Sequence, residues 1–170
     1  MRTPPPWLAA LDDVRLPAAV VDLDAFDANL AALVAAAGDV PIRVATKSVR
    51  CGALLHRTRE ALGARWEGVM AVSPREAEHL VELGLDDVLV AYPVARRADV
   101  APAIHLAAGG HTVRLMVDRA SHVDLIARGA VEAGVVVPVV IDVDASWRPG
   151  AGLPLGVRRS PIRDAGAALE

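Results

Sequence analysis

The sequence predicts an α/β fold, in the form of a partial (β/α)8 barrel of the TIM type. Short apolar runs rich in β-branched residues alternate with longer amphipathic stretches, at a spacing of about 20 to 26 residues, which is typical of repeated βα units and a parallel sheet. The runs are almost continuously apolar, as expected of strands that are covered on both faces. No glycine-rich phosphate loop of the dinucleotide-binding type follows any of them. The even spacing favours a barrel over an open doubly wound sheet.

Composition and periodicity place the individual elements. The strand candidates, which are rich in Val, Leu and Ile, are residues 18–23, 42–46, 68–72, 87–92, 112–117 and 139–143. The helix candidates, in which apolar residues recur at helical spacing, are residues 24–37, 51–62, 74–83, 97–108 and 119–133. Ser73 is predicted to cap its helix, with Pro74 at the first helical position and Gly84 just past the end.

The last segment predicts a helix that no strand follows. Ser160 is a natural N-cap, Pro161 suits the first helical position, and Asp164 lies in the first turn. The sequence stops at Glu170, a turn or two later. Because about five or six βα units cannot close an eight-stranded barrel, we expect this chain to be the N-terminal part of a longer protein.

The composition excludes several classes of function. The 170 residues are 54% hydrophobic, and the formal net charge of −3 argues against a nucleic-acid binder, which would present a basic face. The arginines are scattered among acidic residues, so most are expected to be solvated surface charges. Cys51 is the single cysteine, which fits a reducing compartment. With no signal peptide and no apolar run long enough to span a bilayer, we expect a cytoplasmic protein with no membrane partner.

One residue, Lys47, stands out against this arginine-rich background. It is the only lysine among eighteen basic residues, and it follows a predicted strand directly. In a parallel βα fold that position is on the functional face. A desolvated amine can attack a carbonyl carbon to form an imine, whereas a guanidinium stays protonated. The alternative is that GC-rich coding spared one ordinary surface lysine.

Other polar side chains follow the remaining strands. Tyr92 ends the strand predicted at 87–92, and Asp118, which is expected to cap the next helix as Ser73 does, follows the strand predicted at 112–117. Asp142 and Asp144 alternate on the last strand, so only one of them can face inward. The five histidines form no ligand pattern, so no metal site is predicted within this sequence.

Four segments carry a resemblance to a known family. They are "LPAAVVDLDAFDANL" at 16–30, "IRVATKSVRC" at 42–51, the run at 68–94, and "VVIDVDASWRP…LGVRRSPIR" at 139–163. In this order they resemble the fold-type III pyridoxal phosphate enzymes, the alanine racemase N-terminal domain superfamily. Within it the sequence is most similar to the D-threonine aldolase and D-serine dehydratase branch, the bacterial amino acid deaminase/aldolases.

The resemblance implies a cofactor and roles for several residues. Lys47 would hold pyridoxal phosphate as a covalent imine at the end of the first barrel strand, and would then act as acid or base at the substrate α-carbon. An arginine after the last strand would contact the phenolic oxygen of the cofactor; Arg148 is the candidate, with Arg158 and Arg159 as alternatives. The candidate cofactor-binding residues are Lys47, Arg148, Tyr92 and Asp142.

The resemblance also implies a domain organisation. Residues 1–23 would pair with a separate β-domain, and residues 24–170 would form an incomplete cofactor-binding barrel with five of the strands. The phosphate site, and a divalent metal site of the aldolase branch, would lie beyond Glu170. We therefore expect this chain alone to bind the cofactor poorly and to be catalytically incompetent, and the full-length protein to be a homodimer.

Several functions stay open at this level. A lyase would cleave or dehydrate a β-hydroxy D-amino acid, giving glycine and an aldehyde or a keto acid and ammonia. An amino acid racemase of the same fold would return the proton to the other face of the α-carbon. The chain could also belong to a non-catalytic pyridoxal phosphate-binding protein, to a cofactor-free imine aldolase, or to an inactive fragment.

Overall fold

A computed structural model describes residues 6–150 and 154–169, which fall into two compact units, Met1–Val40 and Pro41–Glu170. The first unit contains a short 3-10 helix, Pro6–Leu11, and the helix α1, Leu23–Ala37. In the part that the structure describes, the second unit contains a parallel sheet, four α-helices and two short 3-10 helices. No helix of the described residues is long and apolar enough to cross a membrane. The expected domain boundary after residue 23 stays a prediction.

Helix α1 begins at a side-chain cap. The carboxylate of Asp22 accepts the backbone N–H of Ala25 at 3.0 Å. The helix predicted at 24–37 is therefore confirmed. Residues 18–22 form no regular element, and the strand predicted at 18–23, which is expected to pair with a β-domain outside this chain, stays a prediction. Val20 and Val21 are exposed there, and no strand of the described residues pairs with this segment. Apolar, β-branched composition alone does not make a strand, which exists only with a hydrogen-bonding neighbour.

The five barrel strands of the second unit confirm the predicted alternation. They are parallel, adjacent in sequence order, and lie at β1 Ile42–Ala45, β2 Trp66–Ala71, β3 Val88–Val90, β4 Val113–Val117 and β5 Val139–Ile141. The connecting helices are α2 Gly52–Leu62, α3 Pro74–Glu82, α4 Arg97–Ala108 and α5 Ala120–Ala133. Successive parallel strands joined by helices correspond to four βα units and a fifth strand of a TIM-type barrel.

The ends of the helices confirm one predicted cap and correct two others. Ser73 accepts the N–H of Glu76 at 3.2 Å and caps α3, as predicted. Asp118 does not cap α5; Arg119 occupies the cap position, because the Asp118 side chain turns to other partners described below. Ser160 begins no helix, because its hydroxyl is engaged by the backbone around β5, and residues 165–169 form only turns.

The core lies between the sheet and its helices. Alternate strand residues point to this side, most clearly in β4, where Val113, Leu115 and Val117 are buried and the residues between them are only partly covered. The helices contribute apolar residues such as Leu80 and Leu106 to the same cluster. Burial of this face provides most of the free energy that holds the helices on the sheet.

A cluster of charges joins the strands at their N-terminal ends. The Asp87 carboxylate, just before β3, pairs with Arg43 of β1 at 2.8 Å and with Arg114 of β4. The Asp87 carbonyl accepts the N–H of Val69 in β2 at 3.1 Å and a guanidinium N–H of Arg43 at 2.7 Å. Asp87, just before β3, thus contacts the three other strands β1, β2 and β4.

Gly68 makes this cluster possible. Its φ is +104°, and a Cβ added there would lie 2.1 Å from the Asp87 carbonyl oxygen and 2.8 Å from a guanidinium nitrogen of Arg43. Such contacts cannot be relieved by rotation of a flexible side chain, since the first is with backbone. β2 can therefore approach the Asp87 loop only with glycine at this position.

Replacing Gly68 by alanine is expected to lower the free energy of unfolding by about 2 kcal/mol or more, since both the φ and the space oppose a Cβ. Gly129→Ala is the matched control. Gly129 lies inside α5, where a Cβ would meet Ile104 at an ordinary 3.4 Å, so its helix propensity should improve by up to about 1 kcal/mol. Urea unfolding of both variants measures this, and equal midpoints would contradict it.

Candidate functional site

Lys47 lies directly after β1, at the C-terminal edge of the sheet. Thr46–Ser48 form a single 3-10 turn that leads from the strand toward α2. The lysine is exposed in the described chain, so the desolvation expected at this position is not provided by these residues. Within residues 6–150 and 154–169, no hydrogen bond or ion pair holds the Lys47 ammonium.

The residue before the lysine is fixed from both sides. Thr46 is only 2% exposed, and its hydroxyl lies 3.0 Å from the Met70 carbonyl and 2.6 Å from Oε1 of Glu76. Its own carbonyl accepts the N–H groups of Val49 and Arg50 at 3.0 and 2.8 Å. The backbone that carries Lys47 is therefore anchored to β2 and to α3.

The turn after Lys47 is tightened by Arg50. Its φ is +46°, in the left-handed region that few residues other than glycine adopt. Its Nε donates to the Lys47 carbonyl at 3.2 Å. Together with Cys51, at the cap position of α2, these residues line an open pocket of about 420 Å³ between α2 and α3. Lys47 and Glu76 both line it, whereas Tyr92, Asp142 and Arg148 do not.

Tyr92, at the end of β3, is joined to the segment that follows β5. The guanidinium of Arg159 lies 5.1 Å from the centre of the Tyr92 ring, a cation–π contact. Ser160, which is buried, donates its hydroxyl to the Asp142 carbonyl at 2.5 Å and accepts the N–H of Ile162 at 3.1 Å. Residues 159–162 therefore connect the C-terminal ends of β5 and β3.

Of the two acidic residues after β5, Asp144 is the buried one. Its N–H donates to the Ile162 carbonyl at 2.8 Å, and its carboxylate pairs with the Arg148 guanidinium. The hydroxyl and backbone N–H of Ser146, and then Arg148, lower the pKa of Asp144 from 3.8 to about 2. Asp142 is half-buried and contributes its backbone to the strand end.

The sequence reasoning missed a buried pair at the end of β4. Oδ1 of Asp118 lies 3.0 Å from Nδ1 of His122 and 3.5 Å from Nε of Arg119, and both members of the pair are almost covered. The signal was the spacing of four residues across the start of a helix, which brings these two side chains together. The described residues contain no group of three or more His, Cys, Asp or Glu that could hold a metal ion.

Taken together, five parallel strands joined in order by four helices, with Lys47 after the first strand, define a partial α/β barrel domain of the TIM type. Comparison with known proteins is consistent with this. The chain belongs to the alanine racemase N-terminal domain family, which it matches over residues 21–169.

The chain is similar to two D-threonine aldolases and to a dehydratase. A D-threonine aldolase from an Arthrobacter species is 32% identical over 133 residues, which cover 77% of this chain and 34% of the aldolase. The structure of D-threonine aldolase from Filomicrobium marinum matches with a TM-score of 0.71 and 29% identity, over 84% of this chain and 37% of that one. The structure of D-threo-3-hydroxyaspartate dehydratase from Delftia sp. HT23 matches with a TM-score of 0.71 and 28% identity, over 82% of this chain and 37% of that one. The chain thus spans about a third of the length of these relatives.

The lowered pKa of Asp144 predicts an acid-dependent contribution to stability. Because the folded-state pKa lies below the ordinary value, the contribution is complete above about 3.8 and is lost as the pH falls toward about 2. Asp144→Asn should remove this dependence, seen as a flatter plot of urea midpoint against pH from 5 to about 2. The exposed Asp124→Asn is the control, and an equally flat plot for it would contradict the assignment.

Proposed function

We propose that the full-length protein is a pyridoxal phosphate-dependent lyase that acts on β-hydroxy D-amino acids. The observation that carries this proposal is the position of Lys47, the only lysine, at the C-terminal end of β1 in a chain of this family. The similar proteins are an aldolase and a dehydratase whose named substrates are both β-hydroxy D-amino acids, which favours a lyase over a racemase.

The residues of this chain fit one part of a cofactor site. A primary amine is the group required to bind the cofactor aldehyde covalently, and Lys47 is exposed and free of competing partners among the described residues. When bound, pyridoxal phosphate supplies an electron sink for charge that develops on the substrate α-carbon. Lys47 would hold the cofactor and then give or take a proton at that carbon. The phosphate site, the metal site of the aldolase branch, the dimer partner and the cytoplasmic location stay predictions from the sequence.

Arg159 is the preferred candidate to donate hydrogen bonds to an anionic oxygen of the cofactor. Its guanidinium stacks on Tyr92, and no carboxylate of the described residues pairs with it. The Arg148 guanidinium, in contrast, is engaged by Asp144, whose pKa of about 2 keeps that carboxylate ionised. An arginine that neutralises a buried carboxylate has fewer donors left for a ligand.

Borohydride trapping tests the covalent role of Lys47. Full-length protein incubated with pyridoxal phosphate and then reduced should carry one adduct, and peptide mapping should place it on Lys47. Lys47→Arg is the matched control, since it keeps the charge and removes the amine; it should give no adduct at this position. If the wild-type protein forms no adduct on Lys47, the proposal is overturned and Lys47 is an ordinary surface lysine.

The assignment of the arginine predicts a difference between two alanine variants. Arg159→Ala is expected to raise the Kd for pyridoxal phosphate by about ten- to a hundredfold, because one charge-assisted hydrogen bond contributes roughly 1.5–3 kcal/mol. Arg148→Ala should raise it by less than about threefold. Titration of the cofactor-free full-length protein measures both, with Arg158→Ala as the neighbouring control. A larger increase of the Kd in Arg148→Ala than in Arg159→Ala would assign the contact with the cofactor oxygen to Arg148.

A further inference from the structure

A single carboxylate, that of Glu76, joins the ends of the first two strands beside Lys47. Its Oε1 lies 2.6 Å from the Thr46 hydroxyl at the end of β1. Its Oε2 accepts the N–H of Val72, just past β2, at 2.7 Å. Its own N–H donates to Ser73 at 3.2 Å. Two strand ends and the first turn of α3 therefore meet at this one side chain.

The sequence around Glu76 explains how the carboxylate reaches across the sheet. Ser73 and Glu76 have the spacing of a capping box, in which the glutamate usually binds the backbone N–H of the cap residue itself. Here it binds the N–H of Val72, one residue earlier, which leaves the other oxygen to face β1. A local helix cap has become a contact between neighbouring βα units.

Thr46 transmits this contact to the lysine. Its hydroxyl carries one proton and faces two acceptors, Glu76 and the Met70 carbonyl, while its carbonyl receives the N–H groups of the turn that contains Lys47. Since the lysine ammonium has no partner among the described residues, nothing in this part of the chain aims it except its own backbone. That backbone is held by Thr46.

We propose that Glu76 is a positioning residue for Lys47, acting through the hydroxyl of Thr46. This inference rests on the proposed function, because it concerns the approach of the Lys47 amine to the carbonyl carbon that it binds. With the Glu76 carboxylate in place, the 3-10 turn has one orientation and the Cα of Lys47, from which the amine extends, is held in a fixed position. Without it, Thr46 donates only to Met70 and the turn loses its tie to α3.

The test uses the full-length protein and measures the rate at which reducible adduct forms on Lys47. At saturating pyridoxal phosphate, Glu76→Ala and Thr46→Val should each slow this rate by about tenfold, the factor expected for one hydrogen bond. The double variant should be no slower than either single one, since both remove the same contact. Glu78→Ala is the matched control on the same helix; it should react at the unmodified rate.

Conservative variants separate positioning from stability. Glu76→Gln should restore the rate, because its amide oxygen can accept from Val72 and its NH2 can donate to Thr46, whose proton then goes to Met70. Thr46→Ser should restore it as well. A role in stability alone would lower the unfolding midpoint of Glu76→Ala and leave the rate constant of the folded protein, measured well below that midpoint, unchanged. That result would overturn the inference.

A second readout needs no cofactor and separates the two proposals. The N–H groups of Val49 and Arg50, which bind the Thr46 carbonyl, should exchange with deuterium faster in Glu76→Ala than in the unmodified and Glu78→Ala proteins. Unchanged exchange overturns the positioning role whether or not the cofactor binds. If the wild-type protein never forms the adduct on Lys47, the proposed function is overturned. Normal adduct formation in Glu76→Ala overturns only the inference.

Discussion

The ion-pair cluster around Asp87 sets the register on which the rest of the structure depends. It joins guanidinium groups from β1 and β4 to the carboxylate of Asp87, just before β3, and the Asp87 carbonyl accepts an N–H of β2. In a parallel sheet, fixing the strands at one edge also fixes where they end at the other. Lys47, after β1, and Tyr92, after β3, therefore lie along the edge opposite the one that Asp87 holds.

The cluster lies on the side of the sheet that faces away from the helices. In β4, Arg114 alternates with the buried residues of the core and so points to the other face, as Arg43 does in β1. The Arg43 side chain is only 14% exposed. Charges in such a position are stable only when their hydrogen bonds are satisfied, and Asp87 provides both carboxylate and carbonyl. Its φ of 60°, which Asp tolerates better than most residues, aims both groups at the arginines.

Local pattern predicted most of the fold, and it failed where tertiary contacts decide. The alternation of strands and helices was found to within a few residues, since each element carries its own periodicity. Residues 18–23 have the composition of a strand, but no described strand pairs with them. Ser160 has the spacing of a helix cap, but its hydroxyl binds the Asp142 carbonyl. The partner of the Ser160 hydroxyl is distant in sequence, so local spacing does not reveal it.

The candidate site divides in the same way. The position of Lys47 followed from one rule, that functional groups lie at the C-terminal ends of parallel strands. The contacts that hold it did not, because Glu76 carries the signature of an ordinary helix cap, and only the fold brings its second oxygen to Thr46. Likewise, nothing in the sequence joins Arg159 to Tyr92, which are on segments separated by two strands.

The two edges of the sheet use cations for different purposes. At the N-terminal edge, Arg43 and Arg114 each donate an N–H to the Asp87 carboxylate, and Arg43 donates another to the Asp87 carbonyl; these contacts suit a rigid guanidinium that never loses its proton. At the C-terminal edge, Lys47 has no such partner in the described chain, and its turn is held instead by the backbone and by Thr46. An arginine there could bind a carboxylate but could not form a covalent bond to a carbonyl carbon. The proposed role of Lys47 therefore requires an amine, whereas the contacts of Arg43 and Arg114 require a guanidinium.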